Sequence, residues 1–100
     1  MIFTASRIDA QEAAEIGLVD EIVSSERCLS RSLELAHTIA SRGPLAVRLA
    51  KDAIDSGLDK SLAEGMSHEE RCYGVTIGSD DRREGLMAFR EKRPAIFKGS

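Results

Sequence analysis

The sequence predicts a mainly α-helical chain of four or five segments. Apolar residues recur at spacings of three and four. Helix-capping residues precede these periodic stretches, and helix-ending glycines follow them. The composition agrees, because 100 residues with 42% hydrophobic and 31% charged side chains lie close to the globular average. A disordered or fibrous chain is therefore excluded, and the boundaries of each helix follow from its capping and ending signals.

The N-terminal part predicts one short helix followed by an extended segment. Asp9 and Glu12 form a capping-box pattern around AQEAAEI, and Gly17 can leave the helix through a left-handed conformation. Residues 18–23, LVDEIV, are too short for another helix and are rich in β-branched residues. We take them as extended, which leaves room for one short N-terminal strand.

A second helix is predicted over residues 26–42 and a third over residues 44–57. Gly43 closes the second helix. Pro44 suits the first position of the third helix, because a backbone N–H at that position has no partner within the helix and proline lacks one. Gly57 ends the third helix. Each helix carries one apolar stripe. The stripe residues are Leu29, Leu33, Ala36, Ile39 and Ala40 in the second helix, and Leu45, Leu49, Ala53 and Ile54 in the third.

Two further helices are predicted in the C-terminal half. Ser61 and Glu64 repeat the capping box and open a helix that Gly78 interrupts. Ser79 caps the last helix, whose first turn is acidic as the helix dipole favours, and Pro94 ends it. The apolar stripes of these helices are wider than one thin layer can cover, so we expect them to pack on another domain or subunit.

The charge is mildly acidic and unevenly placed along the chain. Residues 1–78 hold 8 basic and 13 acidic side chains, whereas residues 79–100 hold 6 basic and 4 acidic ones. Nucleic-acid binding needs a basic face over much of a domain, so this pattern disfavours a nucleic-acid partner and suits one small anionic ligand. No apolar run is long enough to span a bilayer, and no membrane partner is expected.

The chain offers few candidates for catalysis. Gly-rich phosphate loops and the GxSxG, HExxH and DxDxDG patterns do not occur in the sequence. Cys28 and Cys72 have no CxxC spacing and no nearby histidine pair, so we expect two reduced, buried thiols and no metal site. We expect His37 at a surface or boundary, and His68 on a solvated acidic face rather than in a proton relay. No catalytic residue is assigned.

The C-terminal run FREKRPAIFKGS is the best candidate for a binding site. Phe89 and Lys92 are three residues apart, so on a helix an aromatic face and an ammonium would project from one side. Phenylalanine can stack on a purine while lysine meets a phosphate, and Arg90, Arg93 and Lys98 add positive charge. From spacing alone, a core Phe89 beside a solvated Lys92 is the simpler interpretation.

Three blocks in order, EAAEIGLVDEIV, GPLAVRLAK and DDRREGLMAFREKRPAIFKG, resemble the C-terminal third of the enoyl-CoA hydratase/isomerase (crotonase) family. The resemblance covers essentially the whole chain. Among subfamilies, IFTA, EERCY and LMAFREKRP are most similar to methylglutaconyl-CoA hydratases. Ala5 departs from the family pattern, which has glycine there, and a left-handed backbone at an alanine would be costly.

The resemblance implies that residues 1–100 are a single region, the helical, trimer-forming C-terminal part of a crotonase-like fold. The N-terminal ββα core, with the family's catalytic glutamates and oxyanion hole, is absent from this sequence. The implied function is part of an enzyme that hydrates a conjugated double bond of an acyl-CoA thioester, or isomerises one.

By the same resemblance, coenzyme A belongs to the substrate and no separate cofactor is expected. The assembly would be a trimer or hexamer, and its location mitochondrial or cytoplasmic. In the family an aromatic residue and a lysine near the C-terminus contact the adenine and phosphates of coenzyme A, often on a neighbouring subunit, and the matching positions are Phe89 and Lys92. The alternative is a non-catalytic helical assembly module.

Overall fold

A computed structural model describes residues 2–100, and these residues form five α-helices and one 3-10 helix. The predicted mainly α class is confirmed. The elements are α1 (Ala10–Glu15), the 3-10 helix (Ser25–Arg27), α2 (Cys28–Ala40), α3 (Pro44–Gly57), α4 (Leu62–Ile77) and α5 (Asp80–Glu91). The chain divides into two compact units, the first ending at Leu35 and the second running from Ala36 to Ser100.

In the first unit, α1 begins and ends where its capping residues predict. The Asp9 carboxylate accepts a hydrogen bond from the Glu12 backbone amide at 2.9 Å. Gly17 has a φ of 72°, the left-handed conformation expected at the end of a helix. Ala5 also has a positive φ, of 49°, so this alanine does adopt the costly backbone that glycine would tolerate.

The short strand allowed for residues 18–23 is not formed, because residues 2–100 contain no strand at all. An extended segment becomes a strand only when a second one pairs with its backbone, and the described chain supplies none. The segment is held by a side chain instead. The Arg31 guanidinium of α2 donates to the Glu21 carboxylate, with Nε 2.8 Å from Oε1.

The second predicted helix is shorter than expected. The 3-10 turn at Ser25–Arg27 precedes it and α2 stops at Ala40, so Gly43 lies outside and serves as the N-cap of α3. The boundaries of α3 match the prediction, with Pro44 in its first turn. In α4 the capping box is complete, because Ser61 Oγ accepts from the Glu64 amide and the Glu64 carboxylate accepts from the Ser61 amide.

The C-terminal segment folds back along α5. The helix ends at Glu91, and the next residue adopts a left-handed φ of 54°. Residues 93–100 then return towards the start of α5. The buried Asp81 carboxylate accepts from the Lys98 amide at 2.6 Å and from the Gly99 amide at 2.9 Å, and the Phe97 ring lies against Gly85.

The chain has a thin core. Among residues 2–100 the buried apolar side chains are Ala13, Cys72 and Ala88, and all three are small. Large apolar side chains are exposed on each of the helices α2 to α5, as the wide stripes predict. The exposed group includes Leu29, Leu33, Leu35, Ile39, Ile54, Leu62, Met66, Tyr73, Val75, Ile77, Leu86, Met87 and Phe89.

Candidate functional site

Phe89 is an exposed aromatic residue on α5. Its side chain is 84% exposed, whereas the adjacent Ala88 is 2% exposed and faces inward. Ala88 therefore occupies the packed face of the helix, and Phe89 lies on the outer one. The interpretation of Phe89 as a core residue is wrong for this chain, and its ring is available to a ligand or another surface.

Lys92 lies just beyond the helix that carries Phe89. Its left-handed backbone is the C-cap of α5, and its amide donates to the carbonyl of Phe89 at 3.3 Å. We predicted from the spacing of three that both side chains lie on one helix face. This prediction is wrong, because the helical repeat ends at Glu91. The lysine is exposed at the negative end of the helix dipole, which favours a cation there.

Arg93 is committed to ion pairs and does not add free positive charge as predicted. Its guanidinium makes a two-pronged contact with Glu84, at 2.6 and 2.9 Å, and its Nε donates to Glu91 at 2.6 Å. The Arg93 hydrogen bonds, assisted by the Ile96 amide, lower the pKa of Glu84 to about 2. Within residues 2–100 no such carboxylate partner faces Arg90 or Lys92, the cations one and three positions after Phe89 in the chain.

A second cluster joins α3 to α4, and sequence reasoning missed it. His68 and Cys72 lie one turn apart on α4, and Asp52 reaches them from α3. His68 Nε2 is 3.1 Å from Asp52 Oδ2, Cys72 Sγ is 3.5 Å from the same oxygen, and Sγ is 3.6 Å from Nε2. The only signal in the sequence was the i, i+4 spacing of histidine and cysteine.

The cluster corrects two expectations. His68 is not on a solvated acidic face, because its side chain is 19% exposed and hydrogen-bonded to Asp52. Both cysteines are free thiols, but only Cys72 is buried, and Cys28 is exposed. Burial, followed by the neighbouring Asp52, raises the pKa of the Cys72 thiol. The thiol hydrogen bond, followed by His68, lowers the pKa of Asp52.

The cluster is not arranged for nucleophilic catalysis. In a Cys-His-acid relay one imidazole nitrogen faces the thiol and the other faces the acid. Here Nε2 faces both Asp52 and Cys72, while Arg71 lies 3.3 Å from Nδ1. Among the residues that the structure describes, the imidazole therefore has no second carboxylate to orient it.

An apolar groove of about 860 Å³ runs between α3 and α4. Its walls include Leu49, Ile54, Leu58 and Met66, and Cys72 contributes to its lining. Such a groove can receive an apolar side chain or helix.

Within residues 2–100, every helix is too short or too polar to span a membrane.

Comparisons with known proteins match the whole chain to one family. The family model for enoyl-CoA hydratase/isomerase matches residues 1–100. The chain is 48% identical to YngF of Bacillus subtilis over 98 residues, which cover 98% of this chain and 38% of YngF. It is 41% identical to the mitochondrial methylglutaconyl-CoA hydratase of Mus musculus over 103 residues, which cover 99% of this chain and 33% of that enzyme.

The solved structures agree with the sequence relatives. The crystal structure of an enoyl-CoA hydratase from Bacillus anthracis superposes with a TM-score of 0.96 at 46% identity, over 99% of this chain and 38% of that one. The chain thus spans about a third of the length of the relatives it matches. On the family match over its whole length and on this shared helical fold, the chain belongs to the enoyl-CoA hydratase/isomerase family.

Proposed function

We propose that this chain supplies a coenzyme A contact and an assembly surface to an enzyme that hydrates the conjugated double bond of an acyl-CoA thioester. Phe89 covers the adenine and Lys92 meets a phosphate. The observation that carries the proposal is the exposed Phe89 ring, which is followed along the chain by Arg90 and Lys92, two cations that have no carboxylate partner within residues 2–100. The substrate class comes from relatives whose names include methylglutaconyl-CoA hydratase and crotonyl-CoA hydratase.

The chemistry of the two side chains suits the two ends of such a ligand. A flat aromatic surface in water gains from stacking on a purine, by about 1–3 kcal/mol for nucleic-acid bases. Lysine is a compact charge on a flexible stem, so it follows a phosphate without fixed geometry. The left-handed turn at Lys92 directs the chain away from the helix axis, and the ammonium need not share the helix face of Phe89 to reach the same nucleotide.

Coenzyme A binding to the purified protein tests the proposal directly. Phe89→Ala should weaken binding by about 5- to 150-fold if the ring stacks on adenine. Lys92→Ala should weaken it by less, up to about 5-fold, because the lysine is exposed, and added salt should reduce this effect first.

Matched controls are available elsewhere in the chain. Phe3 is another fully exposed phenylalanine, and Lys51 is another exposed lysine, so Phe3→Ala and Lys51→Ala should leave coenzyme A affinity unchanged. An equal loss in the Phe3 and Phe89 variants would show that only nonspecific aromatic contact is being measured. Unchanged affinity in the folded Phe89 variant would refute the adenine contact.

The second candidate function is a non-catalytic helical assembly module, and the bare apolar surface of the helices favours it. The α3–α4 groove is open, and large apolar side chains such as Leu62 and Met66 are exposed beside it. We expect this surface to be covered by further copies of the chain in a trimer or hexamer. Sedimentation over a range of concentrations checks this expectation, and Met66→Lys should shift the protein towards monomer. A monomer at all concentrations would contradict it.

A further inference from the structure

We propose that Asp52, His68 and Cys72 form a three-ligand Zn²⁺ site that clamps α3 to α4. Neither the substrate chemistry nor the assembly surface proposed above depends on this site. The three side chains come from two helices, and each offers a ligand atom of a type that zinc binds in proteins.

The distances among the three ligand atoms fit one face of a zinc tetrahedron. Bonds of about 2.0–2.1 Å to nitrogen and oxygen and about 2.3 Å to sulfur, at tetrahedral angles, separate the ligand atoms by about 3.3–3.6 Å. The structure has 3.1 Å between oxygen and nitrogen, 3.5 Å between sulfur and oxygen, and 3.6 Å between sulfur and nitrogen. An ion can therefore enter with side-chain adjustments of a few tenths of an ångström.

The ligand types distinguish zinc from the hard cations. A thiolate and an imidazole suit Zn²⁺, whereas Mg²⁺ and Ca²⁺ prefer oxygen ligands throughout. A set of three protein ligands leaves the fourth position to water or to an added anion. Asp52 is 54% exposed, so the ion has a path from solvent, and Cys72 is buried.

The helices hold the ligands with little freedom. His68 and Cys72 are at i and i+4 on α4, where side chains lie one above the other. Asp52 is in the middle of α3, away from either end of the helix. Because α3 and α4 pack against each other, an ion bound to both would stabilise their packing in a chain whose core is thin.

Binding must displace the protons that now hold the cluster together. The Cys72 thiol loses its proton to solvent and binds as thiolate. The imidazole binds through Nε2 and carries its proton on Nδ1, so the contact from Arg71 to Nδ1 must open. Arg71 is exposed and can turn away into water.

Cobalt substitution provides the decisive experiment. The purified protein, freed of metal with a chelator, is titrated with Co²⁺ and then with Zn²⁺. We expect one Co²⁺ per chain, with a thiolate-to-cobalt absorption band in the near ultraviolet and the intense visible bands of four-coordinate cobalt, both displaced by Zn²⁺. Zn²⁺ should also raise the melting temperature.

Variants assign the ligands. Cys72→Ser should abolish the thiolate band, and Asp52→Ala should weaken Zn²⁺ binding by at least about 100-fold. The controls are Cys28→Ser, which removes the exposed thiol, and Asp55→Ala, which removes a neighbouring exposed carboxylate of α3. Both should bind like the wild type.

Three results would overturn the site. They are the absence of a thiolate band in the wild type, a band that Cys28→Ser abolishes and Cys72→Ser retains, and equal Zn²⁺ affinity in Asp52→Ala and Asp55→Ala. If circular dichroism shows that Cys72→Ser is unfolded, the comparison of Asp52→Ala with Asp55→Ala decides, because both aspartates are exposed and tolerate truncation.

Discussion

The contact between Asp81 and the returning C-terminal segment gives the sharpest test of how this chain is held together. The buried carboxylate accepts from the backbone amides of Lys98 and Gly99, and the Asp81 amide donates to the carbonyl of Ser100 at 3.0 Å. Asparagine has the same shape but only one acceptor oxygen. Asp81→Asn therefore removes one of the two hydrogen bonds, leaves the other without its charge, and turns an amide group towards a backbone donor.

The expected magnitude follows from that lost bond. A hydrogen bond to a charged group contributes about 1.5–3 kcal/mol, so the segment should open about 10- to 150-fold more often. Hydrogen exchange of the Lys98 and Gly99 amides, followed by NMR, measures this opening directly. Residues of α4 should keep their wild-type exchange, because the change is local to α5 and the returning segment.

Asp80→Asn is the matched control. Asp80 is the neighbouring residue in the same first turn of α5, so both variants lose the same favourable interaction with the helix dipole. Asp80 is exposed and, among residues 2–100, pairs only with Arg83, so its variant should change stability by less than about 0.5 kcal/mol. Equal acceleration of exchange in both variants, or none in Asp81→Asn, would refute the anchoring role of the buried carboxylate.

Three further outcomes are expected. The folded pKa of Glu84 lies near 2, below its ordinary value of 4.5. The stabilisation from its contacts with Arg93 and Ile96 is therefore complete above pH 4.5 and is lost as pH falls towards 2. The Ile96 amide resonance should report this loss, and Glu84→Gln should remove the pH dependence. Ala5→Gly should stabilise the protein by about 0.5–1 kcal/mol in urea unfolding by relieving the left-handed alanine. Gly74→Ala should stabilise the protein by about 1 kcal/mol, since Gly74 lies within α4 and the added methyl group meets open space. A loss of stability in Ala5→Gly or Gly74→Ala would contradict the reasoning for that variant.

The helices were predictable because their boundaries are set by local contacts. Asp9, Ser61 and Ser79 cap through residues three positions away, and such signals are complete within a short window of sequence. The short strand allowed for residues 18–23 did not form, because strand formation depends on a distant partner. The end of α5 also escaped prediction, since Pro94 suggested a later boundary than the left-handed Lys92 provides.

The candidate sites were only partly predictable for the same reason. Phe89 could be selected as a candidate from the sequence, but its exposure depends on which helix face packs inward. Asp52 is 16 positions from His68, and nothing in the spacing of a helix–turn–helix pair indicates that the carboxylate, imidazole and thiol converge. The approach of these groups is a property of how α3 and α4 pack together.

The small size of the buried side chains has a calorimetric consequence. Unfolding can hydrate only the apolar surface that folding had removed from water, and in this chain the buried apolar residues among those described are Ala13, Cys72 and Ala88. An ordinary domain of this length has a heat-capacity increment of about 1.2–1.5 kcal/mol/K, and the isolated chain should fall clearly below it. Association that covers the exposed leucines, isoleucines and methionines would raise the increment, so its dependence on protein concentration measures the apolar area that neighbouring subunits cover.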